Sequence, residues 1–395
     1  MYLKTLDKYE CCGCTACEQV CAKNAISMVQ DNEGFSYPVI NKDLCINCGL
    51  CEKVCAFAQP QYANSKSPTV YATHLKETEE RKKSSSGGIF YAIAKWIIAQ
   101  GGIVYGAAFD KDLQLSHIGV ENLNDLEKLR GSKYLQSAMG NIYKQVREQL
   151  KKSRWVYFVG TGCQVAGLKA FLRKEYTTLV TSDLVCHGVP SQKLFNKHIE
   201  YLGNCVNGKI IGYKFRDTKQ WGQYEKYIYQ KRNKVNESLT GHYSLSPYIY
   251  AFENLYTQRY SCYNCKYTQI PRQGDITLAD YWGVKEFFPQ IDAKTGVSLV
   301  LVNNEQGKKV WEEIKDGLEY HESCVEHGAK YNGNLVRQTK EPAIRKGIYE
   351  RIESEGYEKV AKTVFRPKNY RKIKLKQAIK RSSIFKIVRR IIKRK

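Results

Sequence analysis

Eight cysteines within the first 55 residues form two runs of one pattern, Cys11-x2-Cys14-x2-Cys17-x3-Cys21 and Cys45-x2-Cys48-x2-Cys51-x3-Cys55. Three thiolates on one short loop can hold three corners of a 4Fe-4S cube while the loop's N–H groups point at its sulfurs. The fourth cysteine of each run ligates the other cube. The spacing thus assigns Cys11, Cys14, Cys17 and Cys55 to one cluster, and Cys45, Cys48, Cys51 and Cys21 to a second. Each ligand of the second run lies 34 residues after its counterpart, an internal duplication with pseudo-twofold symmetry. Two alternatives fit less well. A disulfide framework belongs to an oxidising compartment, and the residues up to Cys21 hold no apolar stretch of signal-peptide length. Structural zinc takes paired Cys-x2-Cys units rather than triplets with a trailing thiol.

Seven cysteines remain of the 15: Cys12, Cys163, Cys186, Cys205, Cys262, Cys265 and Cys324. Cys163 and Cys186 each follow an expected strand, so they can face one another across neighbouring loops. Cys262-x2-Cys265 is a chelating pair with no partner nearby in sequence. These four thiols suit a third 4Fe-4S cluster, a structural zinc, or a buried and unligated state. Cys12, Cys205 and Cys324 read as non-ligands. Ser84-Ser85-Ser86-Gly87-Gly88 runs directly into the apolar segment from Ile89 to Gln100, and a Ser/Gly turn opening a helix presents free N–H groups that suit a phosphate. An ordinary N-cap with flexible glycines is the plainer reading. The Arg130-Gly131-Ser132-Lys133-Tyr134 cluster suits an anion or is solvated loop charge. His187 either relays protons or hydrogen-bonds the loop of Cys186, and Asp280 contacts a ligand or caps a turn. No catalytic acid or base stands out.

The elements that position these groups alternate. Strands are expected at Val70 to His74, Gly102 to Phe109, Trp155 to Val159, Leu179 to Val185 and Gly296 to Asn303, and helices at 89–100, 123–129, 138–151, 165–173 and 308–314. Strand, glycine turn, helix and strand in this order indicate an α/β layer with function on its carboxyl-side loops. Between Gly208 and Leu239 a Tyr- and Lys-rich alternation suggests antiparallel strands. Residues 56 to 69, punctuated by Pro60 and Pro68, read as a connection, with the linker proper over 61–69.

The chain has 395 residues, severalfold more than a cluster-binding module needs, and a formal charge of +24. Residues 366 to 395 carry 14 Lys and Arg and no acid, which leaves about +10 for the rest. Ile384, Phe385, Ile387, Val388, Ile391 and Ile392 fall on one helical arc opposite Lys386, Arg389, Arg390, Lys393 and Arg394, a cationic amphipath. It suits peripheral contact with an anionic membrane, where each nearby basic residue contributes about 1 kcal/mol; a solvated or docked tail is the alternative. No apolar run approaches a membrane span. The tail contains no nucleic-acid reader module, so no nucleic acid is expected. Thiol-ligated clusters point to a reducing, cytoplasmic setting, with the tail at the inner face of a membrane.

Taken together, the dicluster head, Ser84 to Gly88, Gly160-Thr161-Gly162-Cys163-Gln164 with Gly167-Leu168, Asp183 with Cys186-His187-Gly188-Val189-Pro190-Ser191, Cys262-x2-Cys265 and Asp280-Tyr281-Trp282-Gly283 resemble the coenzyme F420 hydrogenase/dehydrogenase beta subunit family. The resemblance runs to about residue 340. Gly162 departs from the Pro usual there, and Ala22 and Ala56 depart from the Pro that commonly follows the fourth cysteine of each ferredoxin run. The resemblance implies an α+β fold with a two-cluster ferredoxin-like domain over 1–60. It implies two parts of a larger mixed α/β domain over 70–150 and 151–340, and a helical basic tail over 341–395. It further implies an iron–sulfur flavoprotein oxidoreductase with a third 4Fe-4S cluster at Cys163, Cys186, Cys262 and Cys265. FAD would lie at Ser84, Ser85, Ser86, Gly87 and Gly88 with Lys133. Clusters move single electrons and hydride chemistry moves two, so a flavin is the natural converter. The Gly131-Ser132-Lys133-Tyr134 element and the basic extension resemble a bacterial branch found alongside polysaccharide biosynthesis proteins. The implied acceptor is therefore the deazaflavin coenzyme F420 or a glycan-pathway substrate, and the implied partners are ferredoxin or another redox protein and a catalytic subunit. Two other readings stand beside it: an electron-transfer subunit without its own substrate site, and a zinc-stabilised membrane-associated binding protein.

Overall fold

The computed structural model describes residues 1–217 and 221–381. The head, an iron–sulfur dicluster domain, holds an antiparallel hairpin of β1 (Ile26–Gln30) and β2 (Ser36–Ile40), with Ile26 opposite Ile40. Its two cysteine loops lead into short helices, Ala16–Val20 and Leu50–Lys53. The duplication persists in the backbone. Gly13 and Thr15 of the first loop have positive φ, and so do Asn47 and Gly49, their counterparts 34 residues on. These left-handed turns curl each loop tightly around its own thiols.

The body supplies β3 (Thr69–Leu75), β4 (Ile103–Phe109), β5 (Leu115–Val120), β6 (Val156–Thr161), β7 (Leu179–Leu184), β8 (Gly208–Lys214), β9 (Tyr224–Lys231), β10 (Asn236–His242), β11 (Ile276–Asp280), β12 (Ser298–Val302) and β13 (Leu318–Ser323). Among the described residues, eight of these strands form one sheet in the order β13-β3-β12-β11-β7-β6-β4-β5. β4, β6, β7 and β11 are parallel neighbours, β3 shares their direction, and β5, β12 and β13 oppose it. All five residues of β12 are buried, as a strand covered on both faces requires. One face takes Ile89, Ile93 and Ile97 of α1 (Ile89–Ala99) together with Val310 and Trp311. The other takes Ile142 and Val146 of α2 (Ile142–Lys151), Val165 and Leu168 of α3 (Gly162–Leu172), and Ala16, Val20 and Val54 of the head. The head is thus packed onto the sheet through a shared apolar layer, and each such side chain fully buried contributes about 1.5–3 kcal/mol.

β8, β9 and β10 form the antiparallel sheet expected from the Tyr-rich alternation. It packs with α4 (Gln192–Val206) in an aromatic core containing Phe195, Tyr213, Phe215 and Tyr248. Two differences from expectation have clear causes. Residues 341–395 were expected as a basic tail, but Ile348, Ile352, Tyr357, Val360 and Phe365 are buried in that aromatic core, because the helices Arg345–Glu355 and Tyr357–Thr363 each present an apolar stripe. The connection at 61–69 is not slack: Tyr62 donates to the Lys266 carbonyl at 2.8 Å, and Asn64 donates to the Arg272 and Gly274 carbonyls at 2.9 and 2.8 Å. Beyond the helix Tyr370–Arg381, the arc from Ile384 to Ile392 lies outside the described residues. Among the described residues no helix is long and apolar enough to cross a membrane.

Candidate iron–sulfur and flavin site

Folding brings the first quartet together across the duplication. Burial raises the Cys17 thiol above its ordinary range, and the neighbouring Cys14, Cys11 and Cys55 raise it further. The last cysteine of the second run therefore stands with the first three of the first run, the exchange that the spacing anticipates. Cys45 and Cys51 of the second quartet neighbour one another, and Cys48 is exposed. The Gly13 N–H points at the Cys11 sulfur at 3.4 Å, the Gly188 N–H at Cys186 at 3.3 Å, and the Tyr267 N–H at Cys265 at 3.4 Å. The same turn, in which the second residue on donates back to the thiol, recurs in the head and the body.

Cys163, Cys186, Cys262 and Cys265 line one small cavity of about 60 Å3. β6 and β7 lie side by side with Thr161 opposite Leu184, so the residues just beyond them emerge as neighbours. Thr161 and Gln164 form a capping box that starts α3 at once and fixes Cys163 in its first turn. The Gln164 amide also donates to Ser137 at 3.0 Å, and Ser137 contacts His117 Nδ1 at 2.8 Å while His117 Nε2 lies 3.0 Å from the Val159 carbonyl. Burial lowers His117 to about 4, so it is neutral here with its proton on Nε2. The Cys262–Cys265 loop is tied to β7 by the buried pair of Asp183 and Arg272, 2.7 Å apart, and Arg272 also donates to the Tyr267 and Leu184 carbonyls at 2.6 and 3.1 Å. The Asp183 oxygen in that pair has no aligned hydrogen bond, so the contact is ionic rather than a fork. Among the described residues no three His, Cys, Asp or Glu side chains converge as a single metal ion requires. That holds for the head and the body alike.

A second cavity, of about 510 Å3, opens at the carboxyl ends of β6, β7 and β11 and shares Cys186 and Leu184 with the first. Leu184 is apolar yet 39% exposed, and its surface faces these spaces. Ser84, Ser85, Ser86, Gly88 and Lys133 line the larger cavity. Gly87 does not. It packs between the Thr73 carbonyl and Ser298, where a Cβ would come within 2.3 Å. Gly88, at φ 92°, opens α1 with no side-chain cap, so the first N–H groups of that helix are free to meet an anion. Lys133 is committed elsewhere: its ammonium donates to the Leu129, Arg130 and Lys128 carbonyls at 2.9, 3.0 and 3.3 Å, and burial lowers it to about 7. Arg130 is held by Glu80 and Glu127.

At the far end Arg216 clasps Asp280 with Nη1 at 2.8 Å and Nη2 at 2.7 Å, and its Nε donates to the Tyr134 hydroxyl at 2.5 Å. Burial works against the charge on Arg216, but Asp280 holds it well above the ordinary range. Trp221 donates to Asp280 at 2.9 Å and stacks on Trp282 at 4.6 Å. His187 opens onto this cavity. Burial lowers its pKa, Arg216 lowers it further and Asp280 opposes both. Arg216, Arg259 and Arg272 carried no signal in the sequence, although Arg259 stands three residues before Cys262 and bonds Cys11 and Gln136 in the structure.

Comparison with known families agrees with this geometry. Residues 10–58 match the model of the 4Fe-4S dicluster domain, so the chain is an iron–sulfur protein of the electron-transfer oxidoreductase class. Residues 153–326 match the model for the C terminus of the coenzyme F420 hydrogenase/dehydrogenase beta subunit, and the chain belongs to that family. A solved chain of the F420-reducing [NiFe] hydrogenase complex from Methanosarcina barkeri, studied by xenon derivatization, is similar at 18% identity. The match has a TM-score of 0.42 and covers 73% of this chain and 90% of that one. No curated protein matches the chain.

Proposed function

We propose that the chain is an iron–sulfur flavoprotein oxidoreductase, with three 4Fe-4S sites leading from the head to a flavin in the large cavity. The observation that carries this reading is Cys186, whose side of the β7 loop forms a wall of both the thiol-lined cavity and the large one. The body quartet suits a cube rather than zinc. A zinc ion needs four sulfurs within about 2.3 Å of one point, whereas a cube spaces them at its corners, and these thiols share a cavity without closing on a single ion. FAD fits the Ser84–Gly88 end through the uncapped start of α1 and the Gly88 turn, not through Lys133. Bound together, such cubes and a flavin supply conversion between one-electron and hydride chemistry.

The chain's own residues do the positioning. Asp183 and Arg272 hold the two thiol loops of the body together, and the Gln164 box fixes Cys163. Arg216, Asp280, Trp282 and His187 line the remaining end of the cavity, where a two-electron acceptor such as a deazaflavin or a glycan precursor would lie. The Arg216–Asp280 clasp and the Trp221–Trp282 stack give that end a rigid polar and aromatic wall. Ferredoxin or another redox protein is the partner proposed for the exposed Cys48 side. The test is anaerobic reconstitution of the whole chain with iron, sulfide and flavin measured. About twelve irons and one FAD per chain are expected. A chain that keeps about eight irons and takes up no FAD at saturating flavin overturns the proposal.

A further inference from the structure

Cys12 belongs to none of the three quartets, yet it occupies the seam where the head meets the body. It is 7% exposed and packs in a small apolar group with Ala56, Phe57, Ala166 and Tyr267, against which Cys14, Cys55, Cys163 and Cys265 also pack. Its thiol is in hydrogen-bond contact with both Cys14 of the head and Cys163 of the body, and it lines the small cavity beside Cys163. The backbone is pinned there: Gln136 donates to the Cys12 carbonyl at 3.0 Å, and a Cβ on Gly13 would come within 2.9 Å of Arg259.

We propose that Cys12 donates a hydrogen bond across the seam to the thiolates of Cys14 and Cys163, and so sets the reduction potentials of the two cubes those residues would hold. The inference rests on the function proposed above, because it needs a cube on the body quartet. A non-ligand thiol in apolar surroundings keeps its proton, whereas ligating cysteines are thiolates. Cys12 therefore offers one donor to two acceptors. A hydrogen bond to a cluster sulfur favours the more negative, reduced state and raises the potential. Thr161 also contacts Cys163, its hydroxyl 3.1 Å from the sulfur, so the body site keeps a donor when Cys12 is removed and the head site loses relatively more. Cys12 is accordingly a positioning residue that acts through two ligands.

The full chain, reconstituted anaerobically as wild type, Cys12→Ala, Cys12→Val and Cys12→Ser, is titrated electrochemically and followed by EPR, with iron counted in each. Equal iron in all four is expected. The Ala and Val variants should show a lowered potential for one or both seam cubes and an unmoved potential for the Cys45, Cys48 and Cys51 cube. Cys12→Ser, whose hydroxyl restores a donor, should return towards wild type. Whichever of Ala and Val folds decides the matter. Full iron with unshifted seam potentials overturns the inference, and so does a loss of about four irons, which would make Cys12 a ligand. A wild type that holds only the two head cubes overturns the proposed function beneath it, and its iron count tells that failure from the other two.

Discussion

The two quartets of the head share one spacing and one set of left-handed turns, but their surroundings differ. The first is pressed against the body: Arg259 donates to the Cys11 carbonyl at 2.6 Å, Gln136 holds Cys12, and helix α3 passes so close that a Cβ on Gly167 would come within 3.0 Å of the Cys14 sulfur. The second faces outward, with Cys48 exposed and its neighbours Leu44 and Ile46 exposed by 49% and 62%. A duplicated motif has thus been given a direction by what packs on it. The first copy resembles the body quartet more than its own repeat, since both are enclosed by the same seam. One end of the array is open to a partner and the other is sealed against the large cavity.

Removing the clamp on the sealed side should have the largest effect. Asp183 is fully buried and Arg272 nearly so, and deleting one partner of a buried pair leaves an uncompensated charge at a cost of about 3–5 kcal/mol. Arg272→Met is expected to lower the unfolding midpoint by that amount in denaturant titration and to release the metal of the body quartet. The double variant Asp183→Asn with Arg272→Met should recover most of the loss. If the single variant is as stable as wild type, the clamp does not hold the sealed site.

The next effect tests how tightly the first quartet is pressed on α3. An added methyl at Gly167 meets the Tyr143 hydroxyl at 2.8 Å and Cys14 at 2.9 Å. Overpacking costs about 1–3 kcal/mol, and the gain in helix propensity from Gly to Ala returns up to about 1 kcal/mol. Gly167→Ala should therefore be destabilised by about 1 kcal/mol in net, the difference of those two ranges. Gly347 is the internal control. It lies in the helix Arg345–Glu355 with nothing within 4 Å of an added Cβ. Gly347→Ala should stabilise by about 0.5–1 kcal/mol. Thermal unfolding of both variants measures the opposite signs, and a stabilised Gly167→Ala would mean that the seam is loose.

What the sequence made legible follows from the range of each interaction. The head ligands are fixed by spacings of three and four residues, so the quartets could be written down before any fold was known. Cys163 and Cys186 could be paired because strand, turn and helix patterns place successive parallel strands side by side. The clamps could not be read, since Arg272 meets Asp183 across 89 residues and Arg259 meets Cys11 across 248. Lys133 shows the converse. A lysine beside Gly131 and Ser132 suggested an anion, but folding turned its ammonium onto three carbonyls of its own loop. Helices 345–355 and 357–363 were folded into the tail by their charge, although their apolar stripes meet the aromatic core. Local charge is a weak guide where burial depends on a distant partner.

The smallest effect on the body, and the sharpest on the comparison, comes from the open side. Cys48 is exposed, and surface changes away from packed features usually stay within about 0.5 kcal/mol. Cys48→Ser should therefore remove about four irons while the unfolding of the body stays within that margin. In the wild type an iron chelator should strip the second quartet first, because its loop is open to solvent, and the seam quartets later, because Arg259, Phe57 and Tyr267 cover them. Iron release followed by absorbance should then show two phases, the faster amounting to about a third of the total. Cys48→Ser should abolish the fast phase and leave the slow one unchanged. A single phase in the wild type would mean that the two copies are equally enclosed, and the asymmetry on which the direction of the array depends would be gone.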